Sequence, residues 1–372
     1  MDGLLKIAFI YGPFTLAGRT IDFTNLWDSS RGLTGSELSC ICFAREMAKI
    51  GHQVSLFIQN PNSSNIDKVS IRDISNLASE TAGFDAVCAW NEPDVLRPVL
   101  PGPVRIVNQQ LNDFGYCKPG FDDFVDVYTS PSRSHMEYIS AHTPSPHKWT
   151  VLPNGCDPNQ YDPALKVPGR VIYASSPDRG LHLLLQAWPS IKRAVPNATL
   201  RVFYNMDGWI SNFTPIESHY IPDFVEFGKR ARYIELSMRR MSGLDITRVG
   251  SVSRKQIARE MSETMVLAYP CDTIRFTEGF SVTTMEACAA GAVPVISSVD
   301  SLGQIYGDHI PSVQSPVRDR IPEFSDLVIR GLVDSTFRDS VLSKSIKLAD
   351  AHRWSVLAGT LEEIILNRRS VS

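Results

Sequence analysis

The chain carries little excess of either charge: 37 Lys and Arg against 40 Asp and Glu leave a net of -3 over 372 residues. That balance makes no electrostatic case for nucleic acid, which needs a basic excess or stripe. Long apolar runs are missing as well. None approaches the roughly 18 to 20 residues that span a bilayer. The opening MDGLLKIAFIYG has no basic leader, and its apolar run is too short for a signal peptide. A cytoplasmic protein, at most peripheral to a membrane, is the expectation. The seven cysteines are scattered, and the one close pair, Cys40 and Cys42, lacks zinc spacing, so reduced core thiols are expected. There is no Asp-x-Asp, and the eight histidines form no cluster at ligand spacing, so no metal or other cofactor is expected. A Gly-x-Gly-x-x-Gly turn is also absent after the first strand. Gly12 and Gly18 stand instead in a long loop, which weighs against a nicotinamide enzyme.

What is present is a globular composition, 43% hydrophobic and 21% charged, in a chain long enough for about two domains. Residues 4–11 (LLKIAFIY) read as a buried parallel strand. A helix from Gly35 to Ile50 and a strand over 54–58 follow, a βαβ opening. Further strands are expected at 86–90, 104–108, 125–129 and 149–152. The stretch 157–169 holds Pro158, Pro163 and Pro168 without periodicity and reads as an interdomain linker. A second alternation begins at Val171: a strand, a turn at 177–180, a helix over 181–195 and a strand at 200–204. It continues with a basic amphipathic helix over 226–241, expected to be a solvated face, a strand at 246–252, a helix at 254–262 and a strand at 265–269. A tail helix covers 357–367. The expected class is α/β, with two doubly wound Rossmann-like domains.

The most specific stretch is 276–298, FTEGFSVTTMEACAAGAVPVISS. A Gly279-Phe280 turn enters a helix-forming run that stops at Gly291. Such a turn leaves the first backbone N–H groups unpaired at the positive end of the helix dipole, which suits a phosphate. Glu278 and Glu286 flank it. Two carboxylates repel a phosphate but accept from hydroxyl groups. A ligand with phosphates in the middle and hydroxyl-bearing rings on both sides is a sugar nucleotide.

With its two Rossmann-like halves and EGFSVTTMEACAAGAVPVISS, the chain resembles the retaining glycosyltransferases of the GT-B fold in glycosyltransferase family 4. TGSELSCICFAREMAKIGHQVSLF is similar to that family's first-helix segment, and VLPNGCDPNQYDP to the segment closing its first domain. SSPDRGLHLLLQAWPSIKRAVPNATLRVF resembles its donor-domain entry. VGSVSRKQIAREMSETMVLAYP resembles the stretch before the paired acids.

The resemblance implies an acceptor domain over 1–160 joined by the C-terminal helix 357–372, and a donor domain over 168–353, the two facing a cleft. It implies roles too. Glu278 would hold hydroxyls of the transferred sugar and Glu286 the ribose. The N–H groups of Phe280, Ser281 and Val282, after Gly279, would meet the sugar and the distal phosphate. Arg179 would neutralise the diphosphate, Gly35 would approach it from the first domain, and Val252 would meet the base. The implied activity is metal-independent transfer, with retention, of a hexose-type sugar from a GDP- or UDP-sugar to a glycan, lipid or small-molecule acceptor. A protein that binds the nucleotide sugar without transferring it is the alternative. The chain departs from the family in two places. Ala174, Ser175 and Ser176 stand where an Arg is common, with Arg275 as a substitute, and Asn112-Asp113 replaces a His-Asp pair near the acceptor.

Overall fold

The computed structural model describes residues 3–12, 20–80, 83–213 and 222–370. The chain divides into two compact units: Met1–Ser29, Leu33–Gly155 and His352–Ser372 form unit 1, and Ser30–Gly32 with Cys156–Ala351 form unit 2.

Unit 1 holds β1 (Lys6–Tyr11), β2 (Gln53–Ile58), β3 (Asn65–Ile66), β4 (Val69–Asp73), β5 (Ala86–Trp90), β6 (Val104–Asn108), β7 (Val127–Ser130) and β8 (Trp149–Val151). They form one sheet in the order β3-β4-β2-β1-β5-β6-β7-β8, parallel except for the β3–β4 hairpin. The expected strands all appear; the hairpin is additional. Helix α1 (Gly35–Lys49) is capped by Thr34, whose hydroxyl accepts from the Glu37 N–H while the Glu37 carboxylate accepts from the Thr34 N–H. This reciprocal box satisfies two donors that the first turn would otherwise leave open. The short helix α2 (Arg133–Ser140) starts at the Ser132 cap.

Unit 2 holds β9 (Arg170–Tyr173), β10 (Thr199–Val202), β11 (Ile246–Arg248), β12 (Val266–Tyr269), β13 (Val293–Ser298) and β14 (Ser312–Gln314). Its sheet is wholly parallel, in the order β11-β10-β9-β12-β13-β14. This is the doubly wound order 3-2-1-4-5-6, in which ligands lie beyond the carboxyl ends of the strands where the winding reverses. The reversal falls between β9 and β12. Its longer helices are α3 (Leu181–Ala194), α4 (Met206–Phe213), α5 (Pro222–Arg240), α6 (Arg254–Glu263), α7 (Val282–Ala289), α8 (Ile321–Val333) and α9 (Ser335–Ala351). Their apolar sides and both sheet faces close over a core that includes Trp188, Tyr173, Tyr306 and Phe324.

The tail helix is α10 (Trp354–Arg369), and it belongs to unit 1. Trp354 meets Phe43 of α1 edge to face, with ring centroids 5.3 Å apart, a geometry that adds about 0.5–1.5 kcal/mol to the burial itself. Farther along, Glu362 lies 3.1 Å from His52 and Arg369 lies 2.8 Å from Asp85.

Two expectations change. The stretch 157–169 is not a free linker but is packed on unit 2. Lys166 Nζ donates to the carbonyls of Ser262 and Ala290, at 2.8 Å each, so its ammonium closes the ends of α6 and α7. The basic helix α5 presents the expected solvated face, but Arg230 is not part of it. Arg230 is only 8% exposed and points inward with Ala231, Ile234 and Met238. Lys229, Arg232, Tyr233, Leu236 and Arg240 stand outside. Among the described residues, no helix is long and apolar enough to cross a membrane.

Candidate functional site

The winding reversal of unit 2 is where two of the sequence-selected residues, Arg179 and Glu278, meet. Strands β9 and β12 pair only through Val171 with Val266 and Ile172 with Leu267. Beyond those pairs the strands part, leaving Tyr173 and Tyr269 with ring centroids 6.0 Å apart. The chain leaving β9 forms a tight turn at Pro177–Arg179 and enters α3 through Gly180.

Gly180 is required there. Its φ is +121°, and a Cβ would fall on the carbonyl oxygen of Pro270 and 2.7 Å from its carbonyl carbon. Without a side chain, the turn lies directly on the segment leaving β12. Arg230 ties the same two segments together. Its guanidinium donates to the carbonyl of Asp178 at 2.6 Å, to the carbonyl of Asp272, and to Asp272 Oδ2 at 3.0 Å. Burial would raise the Asp272 carboxyl, but the hydrogen bond from His182 and the charge of Arg230 hold it below the usual range.

On this platform Arg179 and Glu278, 99 positions apart in sequence, come together: Arg179 Nη1 donates to Glu278 Oε2 at 3.0 Å. Burial works against the guanidinium charge, yet the neighbouring Glu278 carboxylate keeps Arg179 protonated well above its ordinary value. Glu278 is 4% exposed. Its Oε2 also accepts from the Tyr269 hydroxyl, while no protein donor among the described residues meets Oε1. The main chain is fixed independently. Asp300, held at φ 49°, accepts the N–H groups of Thr277 and Glu278 on Oδ2, both at 2.9 Å.

The turn then runs into α7. Ser281 caps it by accepting the Thr284 N–H on its hydroxyl at 3.2 Å, and the Tyr306 hydroxyl donates to the Ser281 carbonyl at 2.7 Å. Phe280 is buried against the Tyr306 ring. Among the described residues, the N–H groups of Gly279, Ser281, Val282 and Thr283 meet no acceptor. Positive dipole, open donors and Arg179 together make an anion-accepting corner beside an acceptor-only oxygen. Gly291, at φ +66°, ends the helix.

Glu286 lies on α7 and is also buried, but it is already engaged: Arg254, at the head of α6, pairs with its Oε1. Val252 stands in the loop between β11 and α6, because the strand expected over 246–252 ends at Arg248. Its carbonyl is 3.0 Å from the Cβ position of Gly32, which belongs to the same unit. Gly35 lies in unit 1, as the first residue of α1. Arg275 is 66% exposed and lies 3.4 Å from Asp223, so it does not join Arg179.

In unit 1, Asn112-Asp113 follows Leu111, whose carbonyl lies 3.2 Å from His135 Nε2. His135 is fully buried, with Nδ1 2.6 Å from Ser130 Oγ, and burial lowers its pKa to about 4. A histidine thus does stand beside this segment, but as a neutral internal strut.

The sequence reading did not select Tyr269, Asp300 or Arg230. Tyr269 looks like the last residue of a core strand, and Asp300 like a loop acid. Arg230 could have been found on a helical wheel, since it falls on the side of Phe227, Ala231 and Ile234.

No protein-family model matches the chain, and no curated protein does. Solved structures do. AviGT4, a glycosyltransferase involved in avilamycin A biosynthesis, aligns over 99% of both chains with a TM-score of 0.69 and 16% identity. Sucrose-phosphate synthase from Thermosynechococcus elongatus covers 99% of this chain and 100% of its own, with a TM-score of 0.71 and 12% identity. Anabaena HepE, solved with UDP and glucose, covers 98% of this chain and 100% of its own, with a TM-score of 0.65 and 14% identity. What the chain shares with them is the fold, the two Rossmann-like parallel-sheet units of the GT-B glycosyltransferase structures.

Proposed function

We propose that the chain is a retaining glycosyltransferase that moves a hexose-type sugar from a nucleoside-diphosphate sugar to a glycan, lipid or small-molecule acceptor, without a metal ion. The observation that carries the reading is Glu278. One of its oxygens is occupied by Arg179 and Tyr269, and the other is open beside a helix head with unpaired N–H groups. In this reading Oε1 accepts from hydroxyls of the sugar. The N–H groups around Phe280, Ser281 and Val282, with the Arg179 cation, receive the diphosphate. Glu286 accepts from the ribose on the oxygen capacity that Arg254 leaves, and Val252 meets the base. The bond from the anomeric carbon to the leaving phosphate oxygen breaks as the acceptor oxygen bonds on the same face. The acceptor's proton passes to that leaving oxygen. Arg179 and the helix head stabilise the charge that develops, which is the main work asked of the protein.

Two further observations support this reading. HepE was solved with UDP-glucose, and a trehalose-phosphate synthase from Burkholderia xenovorans, aligned at 9% identity and a TM-score of 0.67, is UDP-forming. The test is a thermal-shift panel of UDP, GDP, ADP and NAD. A nucleoside diphosphate at a hundredfold excess over its Kd adds about 2.7 kcal/mol, whereas stabilisation by NAD alone would sink the reading. Release of UDP or GDP from donor sugars should then proceed, unchanged by EDTA. A strict Mg²⁺ or Mn²⁺ requirement overturns the metal-free part.

A non-catalytic binder is favoured by one observation: Arg275 is paired away with Asp223, leaving Arg179 as the cation at Glu278. Binding without any diphosphate release decides for it. For a lipid acceptor, the outer face of α5 supports peripheral contact, with Lys229, Arg232 and Arg240 beside the 40% exposed Tyr233 and 45% exposed Leu236. Co-sedimentation with phosphatidylglycerol vesicles should then fall when those three cations are replaced by Gln. Equal sedimentation of the two proteins removes this contact.

A further inference from the structure

The buried hydroxyl beside Glu278 has its hydrogen-bonding capacity fully assigned. Tyr269 is 2% exposed, and its OH is met by Ser175 Oγ at 3.1 Å, by Cys271 Sγ at 3.3 Å and by Glu278 Oε2. A phenol has one proton to give and two lone pairs to receive with, and a carboxylate only accepts. The Tyr269 proton therefore goes to Glu278, and the Ser175 hydroxyl and the Cys271 thiol donate into its lone pairs. Burial, with Cys271 and Glu278 adding to it, raises the Tyr269 hydroxyl well above its ordinary value, so that proton stays on the ring oxygen. Arg179 Nη1 is the second donor to the same Oε2. Two donors on one oxygen fix the rotation of the carboxylate about its last bond. Ser175 stands in the stretch where the resembling family commonly has an Arg, and here its side chain supports Tyr269 instead of presenting a cation.

We propose that Tyr269 is a positioning residue that, through Ser175→Tyr269→Glu278, holds Oε2 against the protein and turns Oε1 toward the sugar of a bound nucleotide sugar. The inference rests on the glycosyltransferase reading and deepens it. It makes the sugar increment of binding, rather than nucleotide binding, depend on a phenol that never touches the ligand. The main chain of Glu278 does not depend on this hydroxyl, because Asp300 holds the Thr277 and Glu278 N–H groups separately. Losing the hydroxyl frees the carboxylate to rotate without moving the turn.

The experiment is calorimetric titration of wild type, Tyr269→Phe and Ser175→Ala with two ligand pairs, UDP with UDP-glucose and GDP with GDP-mannose. In wild type the sugar conjugate of the preferred base should bind more tightly than the free nucleotide. Tyr269→Phe should lose at least tenfold in affinity for the conjugate while binding the free nucleotide as wild type does. Ser175→Ala should lose two- to threefold on the conjugate alone. Equal losses on both members of a pair indicate a purely structural phenol and overturn the proposal. So does an unchanged ratio, or a wild type in which the sugar adds nothing. If Tyr269→Phe does not fold, Ser175→Ala decides by the same criterion. Failure of wild type to bind any of the four ligands counts against the functional reading itself.

Discussion

Replacing Glu278 with Gln is expected to slow diphosphate release from a donor sugar by about two to three orders of magnitude, the size seen when a single transition-state contact is removed. The substitution keeps the shape and an oxygen for the Tyr269 hydroxyl. It also introduces an amide NH₂, which donates where a sugar hydroxyl needs an acceptor. Arg179 loses its partner, but its side chain is 30% exposed and water can take over. The stability loss should therefore exceed that of a surface pair but stay below the roughly 3–5 kcal/mol of breaking a fully buried one. Binding of the free nucleotide should survive, because the helix head and Arg179 remain. Measured rates of UDP or GDP release, alongside melting temperatures, separate these effects. A Glu278→Gln protein that releases diphosphate within a factor of three of wild type would remove the carboxylate from the mechanism.

The second large effect belongs to Gly180→Ala, which should strike stability and binding together. The new methyl group meets backbone, the Pro270 carbonyl and Cys271 Cα, so no side-chain rotation can relieve it. A non-glycine residue at this φ costs on the order of 1–3 kcal/mol, and overpacking a filled position costs about 1–3 kcal/mol more. For a unit of this size each kcal/mol lowers the melting temperature by roughly 2–4 °C, so a drop on the order of 10 °C is expected. The turn that carries Arg179 must also lift away from the segment leaving β12, which separates Arg179 from Glu278. Nucleoside-diphosphate affinity should fall by at least tenfold. An alanine variant that melts and binds like wild type would show that the turn has room beside the Pro270 carbonyl for a methyl group.

The alternating architecture was legible in the sequence because parallel strands buried on both faces leave continuous apolar runs such as KIAFIY and VPVISS. The β3–β4 hairpin was not. Its strands are two and five residues long and mix Ser, Asn, Asp and Arg with a few apolar side chains. The stretch 157–169 was misread because its prolines erase periodicity, while its attachment runs through Lys166 to carbonyls 96 and 124 positions away. At the site, Glu278 was selected from the turn it flanks and Arg179 through the family resemblance, and the structure joins them. Tyr269 was hidden because a tyrosine ending an apolar strand reads as core; only the sheet order shows that this strand end faces the winding reversal. Asp300 acts through a left-handed backbone and two main-chain N–H groups, neither of which leaves a sequence signal.

Helix α10 gives the chain an order of completion that differs from its order in sequence. Unit 1 begins first, yet its last helix follows Ala351, the final residue of unit 2. During synthesis, every strand of both sheets has been made before Trp354 can reach Phe43. Apart from Ser30–Gly32, unit 2 comes from one continuous stretch, Cys156–Ala351, whereas unit 1 must keep the α1 face around Phe43 uncovered until residues beyond Ala351 have been made. The first domain to start is the last to close.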